Sequence, residues 1–166
     1  MKIIKPFTSV VYIGIGVLIG GFLFSRSQPR SVFAVTNCRE CMTQKDFAGL
    51  LVSTGINRLP GLIPKVELET EKSIVIKNPF KERNFGIRGK TVDYLIFPKK
   101  DIKNIAEIST EDAQYLADAL LAARQIIEKH ESTDYRLITN GPGFQDINYL
   151  HFHLLVKVAE ANRKDS

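Results

Sequence analysis

The feature that most constrains the fold of this chain is an uncharged run of 18 residues from Phe7 to Phe24. At a helical rise of about 1.5 Å per residue, such a run reaches the lower limit for crossing a hydrocarbon core of roughly 30 Å. Lysines precede the run, arginines follow it, and its four glycines leave no polar face. We therefore expect a transmembrane helix at residues 7–24. The chain then divides into an N-terminal segment (residues 1–36) and a globular domain (residues 37–166).

Three interpretations of this segment are open. An uncleaved membrane anchor is the favoured one. A cleaved secretory signal is the second, because Val32-Phe33-Ala34 fits a small-residue cleavage pattern and gives a mature chain that starts at Val35. A buried core helix is the third, and the lack of a polar face disfavours it. An exported domain, in the periplasm or a lumen, is the commoner arrangement, but basic residues at both ends leave the cytoplasmic orientation open.

The placement of charge removes the main reason to expect nucleic acid as a partner. The chain has 23 basic and 18 acidic residues, a net charge of +5. Residues 1–34 contain four of the basic residues and no acidic one, so the remainder is close to neutral. With 44% hydrophobic residues, the composition is typical of a globular protein. Two cysteines are too few for a disulfide-stapled miniprotein.

The order of the predicted elements indicates an α+β fold, in which a long helix packs on one face of an antiparallel sheet. Ser109 is a suitable N-cap for that helix, and Leu116, Leu120, Ala123 and Ile127 recur at helical spacing along it. The predicted elements are a short helix at 45–53, strands at 73–77 and 91–97, the long helix at 110–130, and strands at 135–139 and 149–158. His130, at the end of the long helix, is expected to face solvent.

The last predicted strand contains two of the three histidines of the chain. Side chains alternate between the faces of a strand, so Tyr149, His151 and His153 share one face. Leu150, Phe152 and Leu154 share the other face, which we expect to lie on the core. A neutral imidazole can attack phosphorus, and a second imidazole beside it can contact phosphate oxygens. Two histidines can also lie on a solvated sheet face without any function, so the His-x-His pattern alone is a weak signal of an active site.

The residues around these histidines resemble the signature of the histidine-triad superfamily. Asn140-Gly141, then Gln145, then apolar residues alternating with Tyr149, His151 and His153 follow the family order, although the family has three histidines. The segment Tyr94–Lys100 is similar to the strand exit of the family, which ends in Pro-Lys. The resemblance covers residues 60–158. It implies a histidine-triad-like fold, an activity on nucleotides, and a homodimer formed through sheet edges.

The resemblance also implies roles for individual residues. His151 matches the nucleophile, which would form a nucleotidyl-histidine at an α-phosphate, and His153 matches the histidine that contacts a phosphate oxygen. Asn140, Gln145 and Tyr149 match positions in the nucleotide and phosphate site. The expected activity is that of a phosphoramidase, hydrolase or nucleotidyl transferase, on a nucleotide or nucleotidyl conjugate and with no cofactor or metal. The alternative is a non-catalytic nucleotide-binding or interaction module of the same fold.

The chain departs from the family pattern at three positions near the histidines, one of which is Phe144, where the family has a glycine before the glutamine. Tyr149 replaces the first histidine, although its backbone carbonyl, which orients the nucleophile in the family, is retained. Asp146 follows Gln145, where active members usually have serine or threonine. A carboxylate at this position would repel a phosphate. These departures allow either a hydrolase with altered leaving-group handling or a degenerate binding pocket.

Cys38 and Cys41 form a Cys-x-x-Cys pair with three open interpretations. Some family members use such a pair, with two histidines, to bind structural zinc, but the matching positions here are Tyr149 and Asp101. A disulfide or redox pair in an exported domain is the second interpretation. Two ordinary thiols are the third. A thiol-redox protein that uses this pair is accordingly a third candidate function.

Overall fold

The computed structural model describes residues 6–27, 43–63, 65–79 and 90–158. These residues form three α-helices, five strands and short 3-10 turns. The helices are α1 (Pro6–Phe24), α2 (Gln44–Arg58) and α3 (Ala113–Lys129), and the strands are β1 (Val66–Glu69), β2 (Ser73–Lys77), β3 (Thr91–Pro98), β4 (Tyr135–Thr139) and β5 (Phe152–Lys157).

The five strands form one antiparallel sheet in the order β1-β2-β3-β5-β4. The last strand in the sequence is therefore inserted between β3 and β4. In this register Leu95 lies opposite His153, and Asp93 lies opposite Leu155. Because of this insertion, residues of β3 that are some sixty positions earlier in the chain become direct neighbours of the two histidines.

The predicted fold class is confirmed, with one strand more than predicted. The additional strand, β1, pairs with β2 at the edge of the sheet. Its sequence, Val-Glu-Leu-Glu, has only two apolar residues, and the strand is half-buried or exposed along its length. An edge strand with so little apolar surface gives a weak periodic signal.

Helix α3 packs on one face of the sheet, above β2 and β3. It begins after a capping box, in which the Asp112 carboxylate accepts hydrogen bonds of 2.8 Å from both the backbone N–H and the hydroxyl of Ser109. The helix approaches the sheet through Ala119, Ala122 and Ala123. The prediction that Leu120 lies in the core is wrong, since its side chain is 52% exposed. The small side chains of these alanines face the sheet, and the bulkier Leu120 lies on the outer side of the helix.

The opposite face of the sheet is also buried, which differs from the solvated face that the sequence allowed. A second apolar cluster covers it, with Ile56 of α2 above Ile74, Leu95, Phe97 and Tyr149. Helix α2 continues to Arg58, beyond residue 53, where the predicted helix ends. Its first turn is linked to the segment before β5, because Asn148 donates to the Asp46 carboxylate at 2.9 Å. The two histidines therefore lie in a partly closed interior.

Helix α1 contacts the domain through its C-terminal end. The guanidinium carbon of Arg58 lies 4.4 Å from the centre of the Phe22 ring, and the hydroxyls of Ser27 and Ser53 are 3.0 Å apart. The prediction that residues 7–24 span a membrane is not supported: in the part of the chain that the structure describes, no helix is long and apolar enough for a membrane span.

Candidate active site

The two predicted catalytic histidines lie side by side at the start of β5. Their ring centroids are 5.3 Å apart, and each residue is only 7% exposed. Strand β5 begins at Phe152 rather than Tyr149, because residues 146–149 bend and the Tyr149 N–H donates to the Ile147 carbonyl at 2.8 Å. The alternation of side chains nevertheless continues through the bend, so both imidazoles lie on the α2 side of the sheet.

The orientation of His151 is fixed by its own backbone. Its Nδ1 lies 2.7 Å from the carbonyl oxygen of Tyr149, and its ring packs 5.5 Å from the ring of Phe97. A carbonyl only accepts hydrogen bonds, so Nδ1 carries the hydrogen and donates it. In the neutral imidazole, Nε2 then holds the lone pair. This arrangement leaves Nε2 as a nucleophile at a fixed position.

Burial lowers the pKa of His151 below the ordinary value for histidine. It is the largest of the effects on this pKa. The hydrogen bond to the Tyr149 carbonyl acts in the opposite direction. The charge of His153 lowers the pKa further, and the carboxylates of Asp146 and Asp93 raise it. The net direction is downward, so at neutral pH the His151 imidazole is in the neutral form that a nucleophile requires.

His153 has a carboxylate partner that its neighbours in the sequence do not indicate. Its Nδ1 lies 3.2 Å and 3.4 Å from the two carboxylate oxygens of Asp93, which is 3% exposed. Asn78 donates to the same carboxylate through Nδ2 at 2.6 Å and to the Asp93 carbonyl through its backbone N–H at 2.9 Å. The available signal was a lone carboxylate inside the apolar, β-branched strand at 91–97.

The histidines open into a cavity of about 340 Å³. Besides the two imidazoles, its walls include Asn78, Phe97 and Asp146. A second cavity of about 470 Å³ has almost entirely apolar walls from α2, the adjacent turn and strands β2 and β3. Both cavities have Phe97 in their walls. A reactive pair of imidazoles thus lies next to a space suited to an apolar ring.

The other predicted site residues do not line the histidine cavity in the described part of the chain; they are Asn140, Gln145 and Tyr149. The Tyr149 side chain is fully buried, and its hydroxyl donates to the Pro98 carbonyl at 2.6 Å and lies 3.1 Å from the Lys100 carbonyl. Gln145 is also buried, and its amide nitrogen lies 3.3 Å from the Lys103 carbonyl. Both side chains support the loop after β3. The backbone carbonyl of Tyr149 contacts His151.

Cys38 and Cys41 lie outside the described residues. Within the described ranges, no group of three or more His, Cys, Asp or Glu side chains is arranged to hold a metal ion. The third histidine, His130, is half-buried rather than facing solvent, because its Nε2 lies 2.7 Å from the Tyr94 hydroxyl. That pair is on the α3 side of the sheet and has no part in the site.

Comparison with known proteins agrees with this geometry. Residues 64–165 match the family described as "Scavenger mRNA decapping enzyme C-term binding". A HIT family hydrolase from Clostridium thermocellum is 27% identical in sequence, and the match covers 80% of this chain and 98% of that one, with a TM-score of 0.51.

Two further solved structures share the fold. A histidine triad protein from Clostridium difficile is 18% identical, over 69% of this chain and 95% of that one, with a TM-score of 0.52. A hypothetical histidine triad nucleotide-binding protein from Sulfolobus tokodaii is 22% identical, over 70% of this chain and 75% of that one, also with a TM-score of 0.52. The family match covers more than half of the chain. The protein therefore belongs to the family of the C-terminal binding domain of scavenger mRNA decapping enzyme, and its domain has the histidine-triad fold.

Proposed function

We propose that the protein hydrolyses a nucleotidyl conjugate, or transfers its nucleotidyl group, through a covalent intermediate on His151. The observation that carries the proposal is the contact between His151 Nδ1 and the Tyr149 carbonyl at 2.7 Å. This contact fixes the tautomer in which Nε2 holds the lone pair. Burial keeps that nitrogen unprotonated at neutral pH. A purely structural histidine would require neither feature.

In the proposed first step, Nε2 of His151 attacks the α-phosphorus of the substrate. A nitrogen–phosphorus bond forms, and the bond from phosphorus to the leaving group breaks. The leaving group departs with the bonding electron pair and takes a proton from water. His153, beside the nucleophile, contacts a phosphate oxygen and stabilises the charge that develops there.

In the second step, a water molecule attacks phosphorus, its released proton neutralises the hydroxide left by the first step, and the bond to His151 breaks. The nitrogen regains its lone pair, and a nucleoside monophosphate leaves. Overall, one water molecule is split, so that its hydroxyl stays on phosphorus and its proton is on the leaving group. Another nucleophile in place of this water would give nucleotidyl transfer.

The substrate class is supported by the shape of the site and by the similar proteins. The apolar cavity beside Phe97 is large enough for an aromatic ring, and it adjoins the two imidazoles. The Clostridium thermocellum protein is described as a hydrolase, and the matching family takes its name from an enzyme that acts on mRNA caps. A nucleotide whose α-phosphate carries a leaving group fits these observations.

Trapping of the intermediate tests the proposal. The full chain is incubated with adenosine 5′-phosphoramidate or a dinucleoside cap analogue, each radiolabelled at the α-phosphorus, and quenched in alkali, where a phosphoramidate on histidine survives. We expect label that is lost in acid and absent from the His151→Ala variant. A protein that binds adenosine monophosphate but takes up no label from either probe would be the non-catalytic module instead.

Export of the domain and formation of a homodimer stay predictions from the sequence and the family resemblance. Neither enters the proposed chemistry, because the described residues of one chain supply both imidazoles and the cavity walls. The same holds for the alternatives of disulfide, zinc or free thiols at Cys38 and Cys41. Substitution of both cysteines by serine should leave labelling of His151 intact. A thiol-redox protein would lose its activity in that variant.

A further inference from the structure

The two imidazoles of the site differ in the group that accepts their Nδ1 hydrogen. For His151 the acceptor is the neutral carbonyl of Tyr149, at 2.7 Å. For His153 it is the carboxylate of Asp93, at 3.2 Å and 3.4 Å. The carbonyl hydrogen bond raises the pKa of His151 but is outweighed by burial, whereas a carboxylate adds the attraction of a full negative charge to the charged imidazolium. The difference is therefore one of charge as well as of geometry.

The Asp93 carboxylate lies in a buried setting that favours a positive charge nearby. It is 3% exposed, on the central strand β3, and among the described residues its side chain contacts His153 and the neutral amide of Asn78. Among the described residues, no lysine or arginine lies within ion-pair distance of it. An ionised carboxylate is buried at acceptable free energy only when it is paired with an opposite charge. His153 is the group in contact that can carry that charge.

We infer that Asp93 is a positioning residue that keeps His153 protonated on both nitrogens, so that the two adjacent histidines have different charges. His153 then presents an Nε2–H and a positive charge to the phosphate, while His151 presents a lone pair. This inference rests on the proposed function, because it concerns the charge with which His153 contacts the phosphate. It attributes that charge to Asp93, a residue outside the family signature.

The surroundings of the pair are consistent with this division. The rings are 5.3 Å apart, so a charge on one imidazole opposes a charge on the other. Among the described residues of the cavity wall, the other ionisable group is Asp146, which comes from the loop before β5 and is exposed. Asp93 is the buried carboxylate of the site and acts directly on His153.

The inference is tested on the full chain with isotope-labelled histidine. Imidazole nitrogen NMR shows directly which nitrogens carry protons, with or without activity. At neutral pH we expect two protons on His153 and one, on Nδ1, on His151. In Asp93→Asn, which keeps the shape of the side chain and removes its charge, we expect His153 to lose one proton at the same pH. His153 with one proton in the unchanged protein would overturn the inference, whether or not the variant folds.

The pH profile of labelling gives a second readout. The rate should rise with pH as His151 becomes neutral and fall at higher pH as His153 loses its charge. Asp93→Asn should move the falling limb to lower pH and reduce labelling at neutral pH roughly tenfold or more. Asp134→Asn is the matched control, because Asp134 is an exposed carboxylate that pairs with Lys157 at the other end of β5. This control should leave the profile and the NMR signals unchanged.

The two readouts separate the inference from the proposed function. An unchanged protein that takes up no label contradicts the proposed function, while the NMR signals still decide whether Asp93 holds the proton on His153. A falling limb that does not move in Asp93→Asn, in a protein that does take up label, contradicts the role of Asp93 alone.

Discussion

The two faces of the central strands β3 and β5 differ in polarity, because alternate residues of each strand point to opposite faces of the sheet. Below α3, Tyr94, Ile96, Leu154 and Val156 form a closely packed apolar layer. On the α2 side, Asp93 and His153 lie among leucines and aromatic rings, and each polar group needs a partner. The first face is stabilised by excluding water. On the second face, ionisable groups are desolvated, and the chemistry of the site depends on that desolvation.

The comparison teaches that a site need not lie on a loop to be reactive. Here one strand, β5, supplies a core residue and a site residue in turn, so the rigidity of the packed face fixes the position of the imidazoles on the other. Substitutions on the α3 side should therefore change stability without changing the chemistry, and substitutions at the imidazoles should do the reverse. The following predictions test that separation.

The largest expected effect is on His151. His151→Ala should reduce turnover of adenosine 5′-phosphoramidate at least 10³-fold, because the covalent route is lost, with little change in melting temperature. His153→Ala should cost less, on the order of 10²-fold, since phosphate contact is one interaction among several. Steady-state kinetics measures both. His130→Gln on the α3 side is the control and should keep its turnover. Equal and mild losses in both site variants would indicate a binding pocket.

On the α3 side, Leu154→Ala should lower the free energy of unfolding by about 2–5 kcal/mol, because it leaves a cavity in a fully buried cluster. Chemical denaturation measures this change, and turnover per folded molecule should be unaffected. Leu120→Ala is the matched control, since Leu120 is more than half exposed on α3. An equal loss of stability in the control would mean that α3 presents a different face to the sheet.

Tyr149 lies on the α2 side of the sheet, but its side chain is expected to affect stability rather than chemistry. Tyr149→Phe removes a buried hydroxyl that bonds to the Pro98 carbonyl, so the free energy of unfolding should fall by about 1–3 kcal/mol. The backbone carbonyl that orients His151 is kept, and label should still accumulate on His151. Thermal unfolding and the trapping assay measure the two effects. Lost labelling with unchanged stability would place the phenol in the chemistry.

The smallest effect is expected at Asp146, in the wall of the histidine cavity. Asp146→Ser removes a negative charge near the proposed phosphate site and should tighten binding of adenosine monophosphate. Because Asp146 is exposed, the gain should be about 1 kcal/mol or less, and added salt should reduce it. Calorimetric titration measures it, with Asp134→Ser as the distant control. Weaker binding after the change would show that the carboxylate contacts the ligand favourably.

Much of this arrangement could be predicted from local sequence. The alternation in residues 149–158 placed His151 and His153 together, and the cap at Ser109 located the long helix. Asp93 could not be assigned to the site in the same way, since its contact with His153 exists only because β5 inserts beside β3. For Tyr149, the identity of the residue shows a polar group but not that loop carbonyls take up its hydroxyl. These contacts join segments that are distant in the sequence, and the local periodicity of apolar residues does not predict which distant segments pair.

The strand order has a consequence for how the protein folds. Strand β5 is the last element of the described chain, yet it occupies the position between β3 and β4. Until it inserts, β3 and β4 each expose an unpaired edge, which is a template for association with other chains. The contact with β3 also closes a long loop, a step that is slow in folding. Chains truncated before residue 150 should therefore aggregate, and in refolding the site should form together with the last structural transition.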